Sequence, residues 1–326
     1  MIHFIINPKG ASGKTMQIWE KTESILKELN VEYKAHFSEK GYRIPDICRE
    51  ICGETQDTVD IAVLGGDGSM NDAVNGITDF DRVRLGLIPA GSGNDMVRDM
   101  DLPDLDELVR RIARQTTCRM TDVGEVIYYP AGSPAGTEPV HRFFNVSSGA
   151  GFDAAICVDV DRSKAKGLFN RLGIGKLIYL FVAIRLIFTM KPSRMTLEGR
   201  ITDMKTGKEE TYTEERPLVF ENAMFAAAMN HQFEGGGFRF CPDSSIDDGM
   251  LDICLPDGLG VADFFKLFPK AAKGRHTENA GVNMLRTDRI RIRSSSPVWI
   301  HTDGEVCAES ADLMFGIAAK KLKLLV

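Results

Sequence analysis

The sequence predicts a two-domain α/β protein, with an amino-terminal domain of parallel strands and helices followed by a domain that is mostly β. Three observations carry this prediction. The chain has 326 residues, 43% hydrophobic and 26% charged, which is enough material for two cores in a globular protein. Over roughly the first 120 residues, short β-rich runs alternate with helical patterns, the order that gives a parallel sheet covered by helices. After Asp122 the texture changes to alternating apolar and polar runs separated by turn residues, the signature of antiparallel strands.

Taken in order, the first domain predicts strands at Ile2–Ile6, Glu32–Phe37, Val59–Leu64 and Arg84–Ile88. Helices are expected at Gly13–Leu29, Ile44–Cys52, Ser69–Gly76, Asn94–Arg98 and Leu105–Arg114. In the second domain, strands are expected at Asp122–Tyr128, Arg142–Val146, Arg194–Ile201, Met224–Met229, Met250–Leu255, Arg289–Ile292 and Val298–Thr302. Two helices, near Asn170–Thr189 and Val261–Ala272, interrupt them, and Pro130–Thr137 reads as an exposed hairpin loop. The expected border lies near residue 120.

Composition excludes several classes. A net charge of −6 argues against nucleic acid as a partner, because nucleic acid rewards clustered Lys and Arg. The amino terminus lacks both the basic and the long apolar region of a signal peptide, and the seven scattered cysteines read as reduced thiols, so a cytoplasmic protein is expected. Cys48 and Cys52 lie one helical turn apart, with no second Cys or His pair beside them, and read as core residues. The greasiest run, Leu177–Phe188, is broken by Arg185 and flanked by Lys176 and Lys191, so it falls short of the ~20 apolar residues of a spanning helix. It reads as a packed core helix, with a membrane-facing helix as the alternative; Arg171 would join the same basic surround.

Three glycine-rich turns follow strands of the first domain, where ligands of parallel sheets bind. The first runs Asn7-Pro8-Lys9-Gly10-Ala11-Ser12-Gly13-Lys14-Thr15. It resembles a phosphate-binding P-loop but has Pro8 where that motif needs Gly, and a plain strand-to-helix turn is the alternative. The second is Gly65-Gly66-Asp67-Gly68-Ser69-Met70-Asn71-Asp72. Its glycines let backbone approach phosphates, and Asp67 can face a magnesium ion or its waters; alternatively Asp67 caps a helix beginning at Ser69. The third is Pro89-Ala90-Gly91-Ser92-Gly93-Asn94-Asp95. Three such turns at three strand ends favour a phosphorylated ligand.

These three motifs resemble those of the diacylglycerol kinase catalytic-domain family, nearest its soluble bacterial lipid kinases. The resemblance continues through Asn145–Asp153, Asp247–Asp252 and Asp303-Gly304-Glu305, nearly the whole chain in order. It implies an NAD-kinase/diacylglycerol-kinase-like three-layer α/β domain over residues 1–120 plus about 316–326, where the last strand returns. It also implies a β-sandwich-like domain over 121–315, with ATP in the cleft between the two. By matching position, nucleotide contacts fall on Asn7, Pro8, Lys9, Gly10, Ser12, Gly13, Ser38, Gly65, Gly66, Asp67, Gly68, Ser69, Asn71 and Ser92. Ser38 and Ser69 stand where the family often has Thr. A Mg2+ site is implied at Ser245, Asp248 and Met250 through two backbone carbonyls and one carboxylate, oxygen ligands that suit a hard cation. A simple turn at Asp247-Asp248-Gly249 is the alternative.

Transfer of a phosphoryl group to an alcohol needs in-line positioning, a cation and a proton acceptor. The resemblance assigns the acceptor to Glu305, with Asp303 as metal or base partner, and a surface turn is the alternative. His231, His276 and His301 read as structural, and Lys273 or Arg275 is a candidate phosphate contact. The expected function is therefore an ATP-dependent lipid kinase, with a lipid substrate, a peripheral contact with a membrane surface and a homodimer as candidate associations. NAD phosphorylation shares the Gly-Gly-Asp-Gly turn but fits the other two turns poorly. An oxidoreductase on a doubly wound sheet needs a Gly-x-Gly-x-x-Gly turn that residues 7–14 lack. A non-catalytic sensor on the same fold fails to explain the retained carboxylates.

Overall fold

In the computed structural model, the described residues are 1–91, 93–115, 117–134, 136–163 and 175–326, excluding the side chains at 11, 12 and 175–177. The chain forms two compact units, residues 1–123 with 318–326, and residues 124–317.

The first unit carries β1 (Ile2–Ile6), α1 (Lys14–Glu28), β2 (Tyr33–Phe37), α2 (Ile44–Glu54), β3 (Val59–Gly65), α3 (Asp67–Val74), β4 (Val83–Pro89), α4 (Leu105–Arg114) and β5 (Cys118–Thr121). The last strand of the chain, β17 (Leu322–Leu325), belongs to the same sheet. Its strand order is β2-β1-β3-β4-β17-β5; β1 to β4 and β17 run parallel, and β5 closes the edge antiparallel. Every residue of β1 and β3 is buried, which is why these strands read as unbroken apolar runs rather than alternations. Trp19, Leu26, Val109 and Ile112 from α1 and α4 pack on Phe4, Leu64 and Ile88. The alternation of a strand sends His3 and Ile5 to the opposite face, where α2 contacts β1 and α3. This is the expected three-layer domain.

α4 illustrates how local sequence sets an element. Asp104 precedes it and its carboxylate accepts the Glu107 N–H at 3.0 Å; acids fill the first turn and arginines the last, complementing the helix dipole. Two expectations shift. α3 begins two residues before the expected Ser69, because Gly66 is the residue that precedes the helix and Asp67 already lies in its first turn. The expected helix at Asn94–Arg98 is a single 3-10 turn, Asp95–Val97, entered through a left-handed Asn94.

The second unit contains β6 (Gly124–Tyr128), β7 (Val140–Phe144), β8 (Ser147–Gly151), α5 (Phe152–Arg162), α6 (Gly175–Thr189), β9 (Ser193–Asp203), β10 (Lys208–Tyr212), β11 (Leu218–Ala223) and β12 (Phe225–Met229). It continues with β13 (Leu251–Pro256), α7 (Val261–Ala271), β14 (Val282–Thr287), β15 (Arg289–Thr302) and β16 (Glu305–Ile317). The strands pair antiparallel in the order β10-β9-β14-β13-β12-β8-β15-β16-β6-β7, and pairing of β9 with β15 closes the path on itself. Phe144, Leu197, Ile253, Ile290, Ile300 and Phe315 fill the enclosed core. The outer side of part of this sheet packs under α5, α6 and α7 through Val160, Val182, Leu186, Met229 and Leu267. β15 joins two runs that the sequence reading kept apart, bridging them through register shifts after Arg293 and Trp299. β8 was not expected as a strand: Ser147-Ser148-Gly149-Ala150-Gly151 has no large apolar residue, yet it is wholly buried between β12 and β15. The amino-terminal part of the expected helix at Asn170–Thr189, with Arg171, lies outside the described residues. No helix among them is long and apolar enough to cross a membrane.

Candidate functional site

In the first unit, parallel pairing brings the carboxyl ends of β1, β2, β3 and β4 to one edge of the sheet. The turns that leave them are tied together there by backbone. The Ser38 N–H donates to Ile6 O at 2.9 Å, Asn7 N–H to Leu64 O at 3.3 Å, and Ala90 N–H to Gly65 O at 2.8 Å. Asn7 Nδ2 also donates to Ser69 Oγ at 3.3 Å, while Asn7 Oδ1 accepts the Lys9 N–H at 3.2 Å. Asn7, Ser38, Gly65, Ser69 and the start of the third turn are thus brought together. Ser92 lies outside the described residues, as does the side chain of Ser12.

Gly66 and Gly91 pass so close that a Cβ on Gly91 would stand 2.6 Å from Gly66 Cα and 2.7 Å from Asn94 Oδ1. Only glycine permits that approach. Asp67 adds a second tie: its Oδ2 accepts the Asp95 N–H at 2.9 Å and its Oδ1 the Met96 N–H at 3.1 Å. The carboxylate therefore caps the 3-10 turn of the third motif, rather than the helix in which it sits. Asn71 is fully buried one turn further along α3. Neither α1 nor α3 has a side-chain cap at its start, and a helix amino terminus without one suits an anion. Pro8, Gly10 and Gly13 shape the entry to α1, with Lys9 and Lys14 exposed beside them. Thr15 Oγ1 and Asn94 Oδ1 are buried without a hydrogen-bond partner at this edge. Of these two, the Thr15 hydroxyl is a donor of the kind that a phosphate oxygen accepts.

In the second unit, the Asp303-Gly304-Glu305 turn joins β15 to β16. Asp303 sits at φ 49°, a left-handed conformation that Asp tolerates better than most residues. Its Oδ2 accepts the backbone N–H of Asn145 at 2.8 Å and Asn145 Nδ2 at 3.3 Å, and its Oδ1 accepts the N–H groups of Val146 and Ser147 at 2.8 and 3.0 Å. The Asp303 N–H returns to Ser147 O at 2.8 Å. Glu305 is exposed at the first position of β16.

Behind this turn lies a cluster that sequence reasoning missed. His301 is 1% exposed, with Nε2 at 3.3 Å from Asp153 Oδ2 and 3.2 Å from Glu234 Oε1, while Nδ1 lies 3.1 Å from the Gly304 nitrogen, whose N–H it accepts only when the ring is neutral. Burial pulls its proton affinity down, but the two carboxylates outweigh burial and hold it well above the ordinary histidine value. Gly149, paired with His301 across the sheet, leaves room for this arrangement; a Cβ there would stand 2.6 Å from Nε2. The three residues are far apart in sequence, and the one available signal was that Asp153 and Glu234 each adjoin a glycine-rich stretch. His231 and His276 are buried, as a structural reading expects, and burial pushes the His276 pKa down.

The residues implied as cation ligands share one turn. Ser245 Oγ donates to Asp247 Oδ1 at 2.9 Å, and the Met250 N–H to Asp248 Oδ1 at 3.0 Å, with Gly249 at φ 77° between them. Ser244 and Asp252 flank the turn as a buried pair held by Arg286. Carbonyl and carboxylate oxygens in one exposed turn are a donor set of the kind that a hard cation takes. No group of three His, Cys, Asp or Glu side chains with metal-binding geometry occurs among the described residues.

Comparison with known proteins agrees with this layout. Residues 1–126 match the diacylglycerol kinase catalytic domain, and residues 146–326 match the YegS C-terminal NAD kinase beta sandwich-like domain. A diacylglycerol kinase of Bacillus subtilis is 26% identical over 248 residues, 75% of this chain and 70% of that protein. One from Staphylococcus aureus is 24% identical over 310 residues, 92% and 84% of the two chains. Among solved structures, a diacylglycerol kinase from Bacillus anthracis superposes with a TM-score of 0.64 at 18% identity, covering 99% of this chain and 96% of that one. Yeast NADH kinase superposes at 0.54 and 11% identity, covering 100% and 83%, a likeness of fold. With both domains matched in order along the chain, the protein belongs to the diacylglycerol kinase catalytic-domain family of kinases.

Proposed function

We propose that the protein is an ATP-dependent lipid kinase that moves the γ-phosphate to a lipid hydroxyl, with diacylglycerol as acceptor and phosphatidate as product. The observation that carries the nucleotide half is the joining of three glycine turns at one sheet edge, where the starts of α1 and α3 lack side-chain caps. Phosphates of ATP would lie against residues 7–13 and 65–71 and beside Ser38, with Lys9 and Lys14 supplying positive charge. The role of Asp67 in this reading is to hold the second and third turns together through Asp95 and Met96. That the Bacillus subtilis and Staphylococcus aureus relatives described above are diacylglycerol kinases supports the choice of acceptor.

The Ser245 and Met250 carbonyls and the Asp248 carboxylate would hold Mg2+, whose charge would offset that of nearby anionic groups. In the transfer itself, Glu305 takes the proton of the lipid hydroxyl as its oxygen bonds to the γ-phosphorus. The bond to the β-bridging oxygen breaks and ADP leaves. The two carboxylates of the turn divide the work on this reading. Asp303 already accepts four N–H bonds, so protonating it would break its hold on residues 145–147; Glu305 is exposed and can reach a substrate.

The acceptor is tested with labelled ATP, magnesium and a panel in mixed micelles: diacylglycerol, a sphingoid base, phosphatidylglycerol and undecaprenol, with NAD in a parallel aqueous reaction. Label in phosphatidate supports the proposal. Label in another lipid replaces the acceptor, and label in NAD alone removes the lipid reading.

A further inference from the structure

The hairpin that carries Glu305 turns through two residues. Thr302 pairs with Glu305 across it, and Asp303 and Gly304 both sit at positive φ, 49° and 82°, as a tight hairpin turn requires. Glu305 follows directly, so the direction of its side chain depends on where the turn stands. Asp303 ties the turn to residues 145–147. His301 reaches its middle, with Nδ1 3.1 Å from the Gly304 nitrogen. At the far end of the same ring, Nε2 faces Asp153 Oδ2 and Glu234 Oε1 at 3.3 and 3.2 Å. A proton stands on Nε2 in the charged ring and in one neutral tautomer, and both forms donate to these carboxylates. Contacts at both ends leave the buried ring one orientation.

The partners of Nε2 are themselves fixed. Glu234 exchanges two backbone hydrogen bonds with Phe238, at 2.9 and 3.0 Å, around Gly235, Gly236 and Gly237, whose φ angles of 66°, 83° and 120° suit glycine alone. Just beyond, the Arg239 N–H donates to Ala271 O at 3.0 Å and its guanidinium to Gln232 Oε1 at 2.7 and 3.0 Å, which anchors this glycine loop to the end of α7. Asp153 lies in the first turn of α5. A Cβ on Gly149 would stand 1.6 Å from Asp153 Oδ2, so glycine keeps the space for that carboxylate clear. The glycine loop, the start of α5 and the hairpin turn thus meet on one ring. A histidine satisfied in a core needs one partner at each nitrogen. Two carboxylates from two elements on one nitrogen are more than packing demands.

We propose that His301 is a positioning residue for phosphoryl transfer: its ring sets where the Asp303-Gly304 turn stands against the glycine loop, and so where the Glu305 carboxylate meets the lipid hydroxyl. This deepens the lipid-kinase reading and rests on it for the reacting groups, but the tie itself is measured without substrate. His301→Gln sets an amide donor near the place of Nε2 and leaves the span to Gly304 open, whereas His301→Ala removes both ends. The Gln variant is expected to melt close to wild type and the Ala variant lower. Turnover on diacylglycerol is expected to fall about 10–100-fold in His301→Gln, with the KM for ATP unchanged, because a small displacement of a reacting group is costly. Hydrogen exchange of the free protein is expected to quicken at residues 303–306 in that variant and to stay at wild-type rates in the parallel sheet of the first unit. Glu234→Gln weakens the tie from its far end and is expected to lower kcat in the same sense, by a smaller factor. If kcat in His301→Gln recovers together with its melting temperature, the ring is structural only and the proposal is overturned. Wild-type kcat in both Gln variants, or unchanged exchange at residues 303–306 in His301→Gln, overturns it as well. Quickened exchange in a protein that phosphorylates no lipid would leave the tie standing and remove the kinase reading instead.

Discussion

Asp303 and Glu305 stand two residues apart and have different surroundings, so substitutions at the two positions are expected to fail differently. Asp303→Asn keeps the left-handed backbone and one acceptor oxygen, but it replaces the other oxygen with a donor facing N–H groups. It should cost about 1–3 kcal/mol of stability as well as activity, visible as a lower melting temperature together with a lower kcat. Glu305→Gln removes the proposed proton acceptor from an exposed position. Its melting temperature should match wild type while kcat falls by about 10²–10⁴-fold. If Asp303→Asn melts like wild type, the four hydrogen bonds to its carboxylate do not hold the turn. His301 gives a third signature at this scale. Replacing it with Ala would leave the partly buried Asp153 and Glu234 beside each other without a shared donor, and a loss of about 1–3 kcal/mol is expected from urea denaturation. The two carboxylates of the turn were legible in the sequence, but their surroundings were not. The spacing of Asp303 and Glu305 marked them as a pair, but only the fold brings residues 145–147 under one carboxylate and Glu234 under the imidazole.

At the scale of elements, the parallel sheet of the first unit was legible because β1, β3 and most of β4 are buried on both faces and therefore read as apolar runs. In the second unit β8 was missed because it lacks such a run. β8 is built from Ser, Gly and Ala, and its burial comes from its neighbours β12 and β15 rather than from its own side chains. The glycine turns make a prediction here. Gly91→Ala would press a Cβ into Gly66 Cα and should cost about 1–3 kcal/mol or weaken ATP binding by displacing the second turn. Isothermal titration with ATP and a melting curve distinguish the two, and wild-type behaviour in both would deny that the turns are packed as described.

β1 and β2 supply a pH dependence. His3 Nδ1 and His36 Nε2 are 3.1 Å apart in a buried pair, and burial pushes the pKa of each below the ordinary 6.5. Each ring binds protons more weakly folded than unfolded, so this contribution to stability is full above 6.5 and is lost as pH falls below it. Urea midpoints of the wild type should drop between about pH 7.5 and 5.5, and His3→Gln/His36→Gln should flatten that slope. His301 has the opposite sign: its raised pKa contributes stability at low pH that is lost as pH rises through the raised value. An unchanged slope in the double variant would place the pH dependence elsewhere.

For the molecule as a whole, order along the chain carried more than any single motif. Each glycine turn alone was ambiguous with an ordinary loop, whereas three turns, then the Asn145–Asp153 and Asp247–Asp252 segments, then Asp303-Gly304-Glu305, form a succession that runs in order along the two matched regions. The acceptor was not legible, because a diacylglycerol, a sphingoid base and a polyprenol offer the same hydroxyl on different tails, and recognition of the tail leaves no short motif. The most direct test of the account is therefore the product itself. Wild type and Glu305→Gln are incubated side by side with γ-labelled ATP, magnesium and diacylglycerol in mixed micelles, and the lipid fraction is resolved. The account predicts labelled phosphatidate from the wild type and at most a trace from the variant. No labelled lipid from the wild type, or equal label from both proteins, would contradict it.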